Sequence, residues 1–349
     1  MRVIFRVDAS LQIGSGHVMR CLTLAEVLRE NGAKVKFICR EHGGNLIKKI
    51  KEKNFQVIEL EVSNNTDGKL KHASWLGSTQ QQDALDCIEI LKLEKTEWII
   101  IDHYAIDKQW QNLVRSHCKN LMVIDDLADR KHLCDILLDQ TYGRDKREYE
   151  SLVPKSCKML LGSQYALLRP EFAKWRPYSL DRRSKPEFKH LLINMGGVDV
   201  DNVTGQVLDE LKPCNLPSDI NITVVMGGAA PHVESVIVKA SALPCKTEVK
   251  INVDNMAEIM ANSDISIGAS GATTWERCCL GLPTIQIITA YNQGLIANNL
   301  DRASIVKLSA VSSLSTLLET RQHWMSDVSV NASKICDGTG ATIVASYLQ

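Results

Sequence analysis

Arg6-Val7-Asp8-Ala9-Ser10-Leu11-Gln12-Ile13-Gly14-Ser15-Gly16-His17-Val18-Met19-Arg20-Cys21 carries the chain from a strand into a helix. Residues 2–7, rich in Val, Ile and Phe, predict a short strand, and residues 18–29 predict an amphipathic helix. Between them lies a glycine-punctuated turn with a histidine where the helix begins. In an open α/β sheet such a turn falls at the carboxyl end of a strand, where ligands bind. A helix start adds unpaired N–H groups and partial positive charge, which suit phosphate. One short loop thus combines a permissive backbone, an anion site and a titratable imidazole.

The glycines alone are a weak signal. Gly14-Ser15-Gly16 lacks the third glycine of the dinucleotide fingerprint, because Met19 stands in that place. No Gly-Lys-Ser/Thr follows, as a phosphate-binding P-loop requires. A single histidine after such a turn is more often a cap or a packing residue than a catalyst. The rest of the chain has to decide.

Composition narrows the class of function. The 349 residues are enough for two domains of ordinary size. Lys and Arg number 41, as do Asp and Glu, so the formal charge is zero. That balance argues against a nucleic-acid binder, which needs a basic face. The hydrophobic fraction of 44% supports full cores, and no apolar run is long enough to span a bilayer. Met1-Arg2-Val3-Ile4-Phe5 leads straight into the first strand without a signal-peptide layout. The eleven cysteines are scattered, none in a Cys-x-x-Cys pair, and Cys278-Cys279 are adjacent. This pattern predicts reduced thiols and a cytoplasmic setting, with neither a disulfide framework nor a zinc site.

Further strands are predicted at residues 34–39, 56–60, 98–101, 121–124 and 135–138, with a second clear helix at 80–93. Strand–helix alternation at this spacing predicts a parallel sheet covered on both faces. Asp102, Asp125, Asp126 and Asp139 fall just past strand ends, where functional carboxylates sit but where aspartates also cap helices and make turns. The cap reading is favoured for most of them. A charged, proline-bearing stretch from Arg169 to Pro186 shows no sustained period and is read as the connection between domains. A second α/β pattern follows, with strands at 190–195, 221–226, 264–267 and 284–288. The first three end in glycine: Gly196-Gly197, Gly227-Gly228 and Gly268. Residues 328–348 look helical. The expected fold class is α/β, two Rossmann-like doubly wound parallel-sheet domains facing a central cleft. The expected boundaries are 1–170, a linker at 171–187, and 188–334, with 335–349 packing back onto the first domain.

Ser270-Gly271-Ala272-Thr273-Thr274-Trp275-Glu276, after the strand that ends at Gly268, repeats the logic of the N-terminal loop. A helix is predicted from about residue 274 to 280, stopped by Gly281-Leu282-Pro283. A phosphate at this helix start meets several donors and the helix dipole. Glu276 in the first turn can accept both hydroxyls of a ribose; it is equally an ordinary first-turn glutamate that suits the dipole.

Here the chain resembles a known family. Arg6-Val7-Asp8-Ala9-Ser10 with Ile13-Gly14-x-Gly16-His17-x-x-Arg20-Cys21-Leu22 is similar to the start of the UDP-sugar hydrolases of pseudaminic acid biosynthesis. Asp125-Asp126-Leu127-Ala128-Asp129-Arg130, Leu138-Asp139-Gln140 with Tyr142-Gly143, Leu161-Gly162-x-x-Tyr165-Ala166-Leu167-Leu168-Arg169-Pro170-Glu171-Phe172, Met195-Gly196-Gly197-x-Asp199 and Ser270-Gly271-Ala272-Thr273-x-Trp275-Glu276 continue the match in order. The resemblance covers nearly the whole chain. It implies a GT-B fold, related to that of the lipid II-forming GlcNAc transferase. The implied activity is hydrolysis of UDP-2,4-diacetamido-2,4,6-trideoxy-β-L-altropyranose to UDP and the free sugar, with inversion at the anomeric carbon. The implied biological setting is the synthesis of a nonulosonic acid used in flagellin glycosylation.

That chemistry needs a base for water, stabilisation of the departing diphosphate, and a positioned sugar. His17 matches the histidine proposed as the family's base, and a helix start disfavours the imidazolium, which suits a proton acceptor. The expected substrate contacts are Asp8, Gly14, Gly16, Arg144, Gly196, Gly197, Ser270, Gly271, Ala272, Thr273, Glu276, Asn292 and Gln293. Among these, Glu276 is matched to the ribose, Asn292-Gln293 to the sugar and phosphate, and Arg144 to a phosphate or an acetamido carbonyl. Arg144 is nearly as well read as a solvated loop arginine. Asp8 either orients the imidazole, contacts the sugar or braces the glycine loop, with the brace slightly preferred. His103 and Tyr104 are placed near the ligand by strand-end position alone. Enzymes of the GT-B fold usually stabilise a diphosphate without a metal ion, so the resemblance implies metal independence and no cofactor. A small-molecule UDP-sugar is the expected partner, with no nucleic acid or membrane and a monomer or weak dimer as the assembly. A UDP-sugar glycosyltransferase, a UDP-sugar 2-epimerase and a non-catalytic nucleotide-sugar sensor are the alternatives on the same architecture.

Overall fold

The computed structural model describes residues 1–349 other than Asn64, Asp67, Lys69, Ala229, Tyr291 and Asn292. The chain forms two compact units, one of Met1–Leu167 with Gly340–Gln349 and one of Leu168–Thr339.

The first unit is built on seven strands: β1 (Arg2–Val7), β2 (Lys34–Arg40), β3 (Gln56–Leu60), β4 (Thr96–Asp102), β5 (Cys118–Ile124), β6 (Ile136–Asp139) and β7 (Lys158–Leu161). They pair in the order β3-β2-β1-β4-β5-β6-β7, and every pairing is parallel. Alternation along the strands sends Val3, Phe5 and Val7 to one core and Ile4, Ile99 and Ile101 to the core on the opposite face. Because both faces are covered, the strands read as nearly continuous apolar runs. The order reverses at β1: the chain leaves β1 to build β2 and β3 on one side, then returns to lay β4 on the other. Val7 and Asp102 are paired neighbours across that switch point, the place where ligands bind in such sheets.

The second unit repeats this plan with six strands: β8 (His190–Asn194), β9 (Asn221–Met226), β10 (Lys246–Ile251), β11 (Ile265–Ala269), β12 (Thr284–Ile287) and β13 (Lys307–Leu308). The order is β10-β9-β8-β11-β12-β13, so its switch point lies between β8 and β11. Gly268 pairs with Asn194 on one side and with Gln286 on the other.

Several expectations need correction. β7, β10 and β13 were not predicted. β7 and β13 are short, and β10 is an edge strand whose lysines and glutamate face outward, which hides its period. Residues 171–187 are not an irregular linker, because Pro170–Arg183 is a helix. Pro170 sits at its first turn, where a missing N–H costs nothing. Phe172 and Ser179, two turns apart, are fully buried on one side of it. The single helix expected at 328–348 is two, Met325–Ser333 and Gly340–Ser346. The break contains Gly338 at φ +89°, a conformation that side chains other than glycine rarely adopt. The helix Gly340–Ser346 packs on the helix Gly16–Glu30, and Trp98 Nε1 donates to the carbonyl of Leu348 at 2.9 Å.

Candidate functional site

The turn after β1 is closed by a short bridge, with the Gly14 N–H donating to the Ser10 carbonyl at 2.8 Å. The Ser10 hydroxyl accepts from the N–H groups of Gln12 and Ile13. Gly14 lies at φ +77°, so the turn itself demands glycine there. Gly16 has no such demand: its φ is ordinary, and a Cβ added to it would meet nothing within 4 Å. Neither strain nor packing explains that glycine, and the space beside it is open.

The helix Gly16–Glu30 then places His17 and Arg20 one turn apart. Both side chains turn to Asp102, the last residue of β4. His17 Nδ1 lies 2.5 Å from Asp102 Oδ1. Arg20 grips the same carboxylate with Nε at 2.6 Å and its second nitrogen at 2.6 Å, and extends its third to Asp126 Oδ2 at 3.0 Å. Tyr104 donates its hydroxyl to Asp126 and packs edge-on against the His17 ring, with centroids 4.6 Å apart. Asp102 is fully buried. Burial alone would raise its carboxyl, but the Arg20 guanidinium and His17 override this and hold it well below the usual carboxylate range. An ionised carboxylate can only accept, so Nδ1 carries the proton in neutral His17 and the lone pair sits on Nε2. This carboxylate–imidazole pair is the arrangement by which hydrolases orient a base.

Asp8 does not orient His17. It is buried, and its oxygens take the backbone N–H of Arg40 at 2.7 Å, the Arg6 guanidinium at 2.7 Å and His103 Nε2 at 3.2 Å. His103 is buried in the same pair, so Asp8 and His103 form a brace beneath the turn. Arg144 is not a solvated loop arginine. Its nitrogens reach Asp139 at 2.6 Å, Glu148 at 2.6 Å and the Asp126 carbonyl at 2.7 Å, so it braces the turn after β6 instead of presenting a free fork. The cap reading holds for two of the four strand-end aspartates. Asp125 accepts from the Ala128 N–H and Asp139 from the Thr141 N–H, whereas Asp102 is spent on His17 and Arg20 and Asp126 on Arg20 and Tyr104. Sequence reasoning noticed Asp102 but did not link it to His17. The parallel pairing of β1 with β4 is what brings the two together.

In the second unit, Ser270-Gly271-Ala272 leads from β11 into the short helix Thr273–Cys279. The Ser270 N–H donates to the Ile287 carbonyl at 3.1 Å, which ties the turn to β12. Gly271, like Gly16, has open space where a Cβ would stand and an ordinary φ. Gly196, at φ +93°, also faces open space. The Gly197 carbonyl oxygen packs against Gly227, where an added Cβ would lie 2.0 Å from it, so packing requires the glycine at 227. Glu276 is half-buried, with Arg169 3.9 Å away, and burial pushes its carboxyl above the ordinary range. Gln293 folds back so that its Oε1 accepts from the Thr289 N–H at 2.9 Å. Asn292 lies outside the described residues. Among the described residues, no group of three or more His, Cys, Asp or Glu is placed to hold a metal ion, and no helix is long and apolar enough to cross a membrane.

With this geometry in hand, known proteins can be compared. Residues 191–317 match the glycosyltransferase family 28 C-terminal domain. Over its full length the chain superposes on MurG of Acinetobacter baumannii with a TM-score of 0.71 at 16% identity, covering 99% of that chain. That likeness fixes the fold as GT-B. The chain is 29% identical over 290 residues to an uncharacterized protein of Methanocaldococcus jannaschii, matching 82% of this chain and 55% of that protein. It thus spans about half the length of that relative. It is also 30% identical over 264 residues to the UDP-2,4-diacetamido-2,4,6-trideoxy-β-L-altropyranose hydrolase of Campylobacter jejuni, matching 76% of this chain and 83% of that enzyme. At that identity and coverage the chain belongs to the family of UDP-2,4-diacetamido-2,4,6-trideoxy-β-L-altropyranose hydrolases.

Proposed function

We propose that this protein hydrolyses UDP-2,4-diacetamido-2,4,6-trideoxy-β-L-altropyranose, releasing UDP and 2,4-diacetamido-2,4,6-trideoxy-L-altrose. The observation that carries the reading is the His17–Asp102 pair at the open glycine turn after β1. His17 Nε2 takes a proton from water as the water oxygen bonds to the anomeric carbon. The bond from that carbon to the diphosphate oxygen breaks with its electron pair, and UDP leaves. Attack opposite the leaving group inverts the configuration. Asp102 fixes the tautomer and stabilises the imidazolium that forms. Arg20 keeps Asp102 ionised and in place.

The second unit supplies the nucleotide contacts in this reading. The N–H groups of Gly271, Ala272 and Thr273, leading into the helix Thr273–Cys279, have no intrahelical partners and suit the diphosphate. Glu276 accepts the ribose hydroxyls. Gly14, Gly16, Gly196 and Gly197 allow backbone to approach the ligand closely. Ser270 and Gln293 hold the turns that carry these contacts, and Asp8 and Arg144 brace from behind. Fixed donors of this kind stabilise developing charge without a metal ion, so activity is expected to survive chelation.

The test is direct. Wild type and His17→Ala are incubated in EDTA with the UDP-sugar named above, and the anomeric signals are followed by NMR. Release of UDP and inverted free sugar by wild type alone, from a variant that remains folded, is the expected result. An intact substrate that nonetheless binds overturns hydrolysis in favour of a transferase lacking its acceptor or a sensor. A UDP-sugar epimerised at C2 points to epimerase chemistry.

A further inference from the structure

Arg277 is 1% exposed, among the largest fully buried side chains of the molecule. Its guanidinium bends back under the turn after β11. It donates to the Ala269 carbonyl at 2.7 Å, to the Thr274 hydroxyl at 3.2 Å and to the Thr273 hydroxyl at 3.3 Å. Among the described residues no carboxylate lies within ion-pair distance of it, and its Nε has no hydrogen-bond partner. Burial lowers it to about 10, outweighing the opposite pull of Cys278 and Glu276. The fold makes room for it: a Cβ on Gly268 would lie 2.1 Å from its Nη1. Gly268 is flanked in register by Asn194 and Gln286, two neutral amides, so the neighbouring strands add no negative charge.

Stability alone gives no account of this arrangement. A buried charge without an ion-pair partner is costly, and although Arg277 lies in the last turn of its helix, its guanidinium reaches back to the start, where a cation has the wrong sign for the helix. Arg183 provides the contrast. It is also deeply placed without a carboxylate contact, but its donors satisfy the carbonyls of Met260, Ala261 and Ser263 at the end of the helix Met256–Ala261, where a cation is favoured. Arg277 has the opposite placement. Its hydrogen bonds run to the backbone and hydroxyls of the segment Ala269–Thr274, the same segment whose N–H groups and open Gly271 were described above.

We propose that Arg277 is a positioning residue for the diphosphate of the nucleotide: a buried cation without an ion-pair partner among the described residues, which holds the turn Ala269–Thr274 in its anion-accepting shape and supplies the positive field behind it. The inference rests on the reading that this turn binds the diphosphate. The bound nucleotide then adds counter-charge beyond the weaker pull of Glu276.

Calorimetry of wild type, Arg277→Met and Arg277→Lys with UDP and with uridine tests this. The expected result is that Arg277→Met weakens UDP about tenfold, a change of about 1.4 kcal/mol, and leaves uridine within about twofold. Arg277→Lys, which keeps the charge and loses the fork, recovers at least part of the UDP affinity and stands in if the methionine variant does not fold. Thermal unfolding supplies a second readout: UDP raises the melting temperature of wild type more than that of Arg277→Met. Equal losses of UDP and uridine, or unchanged UDP affinity in both variants, overturn the role of Arg277. If wild type binds uridine as tightly as UDP, the diphosphate reading of the turn fails first and takes this inference with it. A wild type that prefers UDP, with variants that keep the preference, refutes the inference alone.

Discussion

The turn after β1 and the turn after β11 share one design and carry opposite electrostatics. Each leaves a strand at the switch point of its sheet, and each includes a glycine, Gly16 or Gly271, that neither φ nor packing requires. The neighbouring strand makes the difference. Beside the first turn, β4 ends in Asp102, and the histidine at the helix start is locked onto an anion. Beside the second turn, the positions in register with Gly268 are Asn194 and Gln286, and the buried charge beneath it is Arg277. A base for water gains from an anion behind it, because the imidazolium that forms is then stabilised. A diphosphate site gains from the reverse. In the proposed reading, one architecture serves as a proton acceptor in one unit and an anion acceptor in the other, according to the buried charge beside each turn.

The strongest way to break this contrast is to remove its catalytic half. His17→Ala should lower kcat on the order of 10³-fold while leaving the affinity for UDP within about twofold, measured by initial rates and calorimetry on the same preparation. An equal loss in UDP binding would mean that the first turn, too, is an anion site. Asp102→Asn should also lower kcat, with little change in KM, because an amide can present its N–H to Nδ1 and reverse the tautomer. The glycines sharpen the comparison further. Gly16→Ala should reduce kcat/KM and Gly271→Ala should weaken UDP, each about tenfold. Both substitutions should leave thermal stability nearly unchanged, since the added methyl meets no protein atom. Gly14→Ala, at positive φ, should destabilise the fold by about 1 kcal/mol in chemical denaturation.

Two smaller effects concern pH. Asp102 is held below the usual carboxylate range in the folded state, so on acidification the unfolded chain binds its proton first. Its contribution to stability is therefore full above the ordinary carboxylate value of about 3.9 and is lost as pH falls below it. Denaturation midpoints of wild type and Asp102→Asn should converge between neutral and strongly acidic pH; a constant gap would show that the carboxylate's charge is not what matters. Glu276 shifts the other way, because burial raises it. Uridine affinity should start to fall at a pH above the ordinary glutamate value of about 4.3, and Glu276→Gln should flatten that dependence.

Much of this molecule is legible in the chain. Short apolar strands alternating with helices point to two parallel-sheet units, and Gly14-x-Gly16-His17 and Ser270-Gly271-x-x-x-x-Glu276 mark the two switch-point turns. These are local signals, carried by period and by turn chemistry within about 15 residues. The helix Pro170–Arg183 was hidden because its two buried residues, Phe172 and Ser179, lie among charges and prolines that read as a loop. β10 was hidden because an edge strand wears its charges outward.

Tertiary structure decided the partners. His17 and Asp102 are 85 residues apart and meet only because β4 lies beside β1 and not beside β3. That crossover also brings His103 to Asp8, which is already held by Arg6, so Asp8 does not reach His17. Nothing in the sequence sets Arg277 apart from an ordinary helical arginine. Only the fold shows it turned inward beneath Ala269 with no carboxylate in reach. Sequence period determines which segments become strands and helices, because it depends on near neighbours. The charge environment of a buried side chain depends on which distant strand ends beside it, and that follows from sheet order.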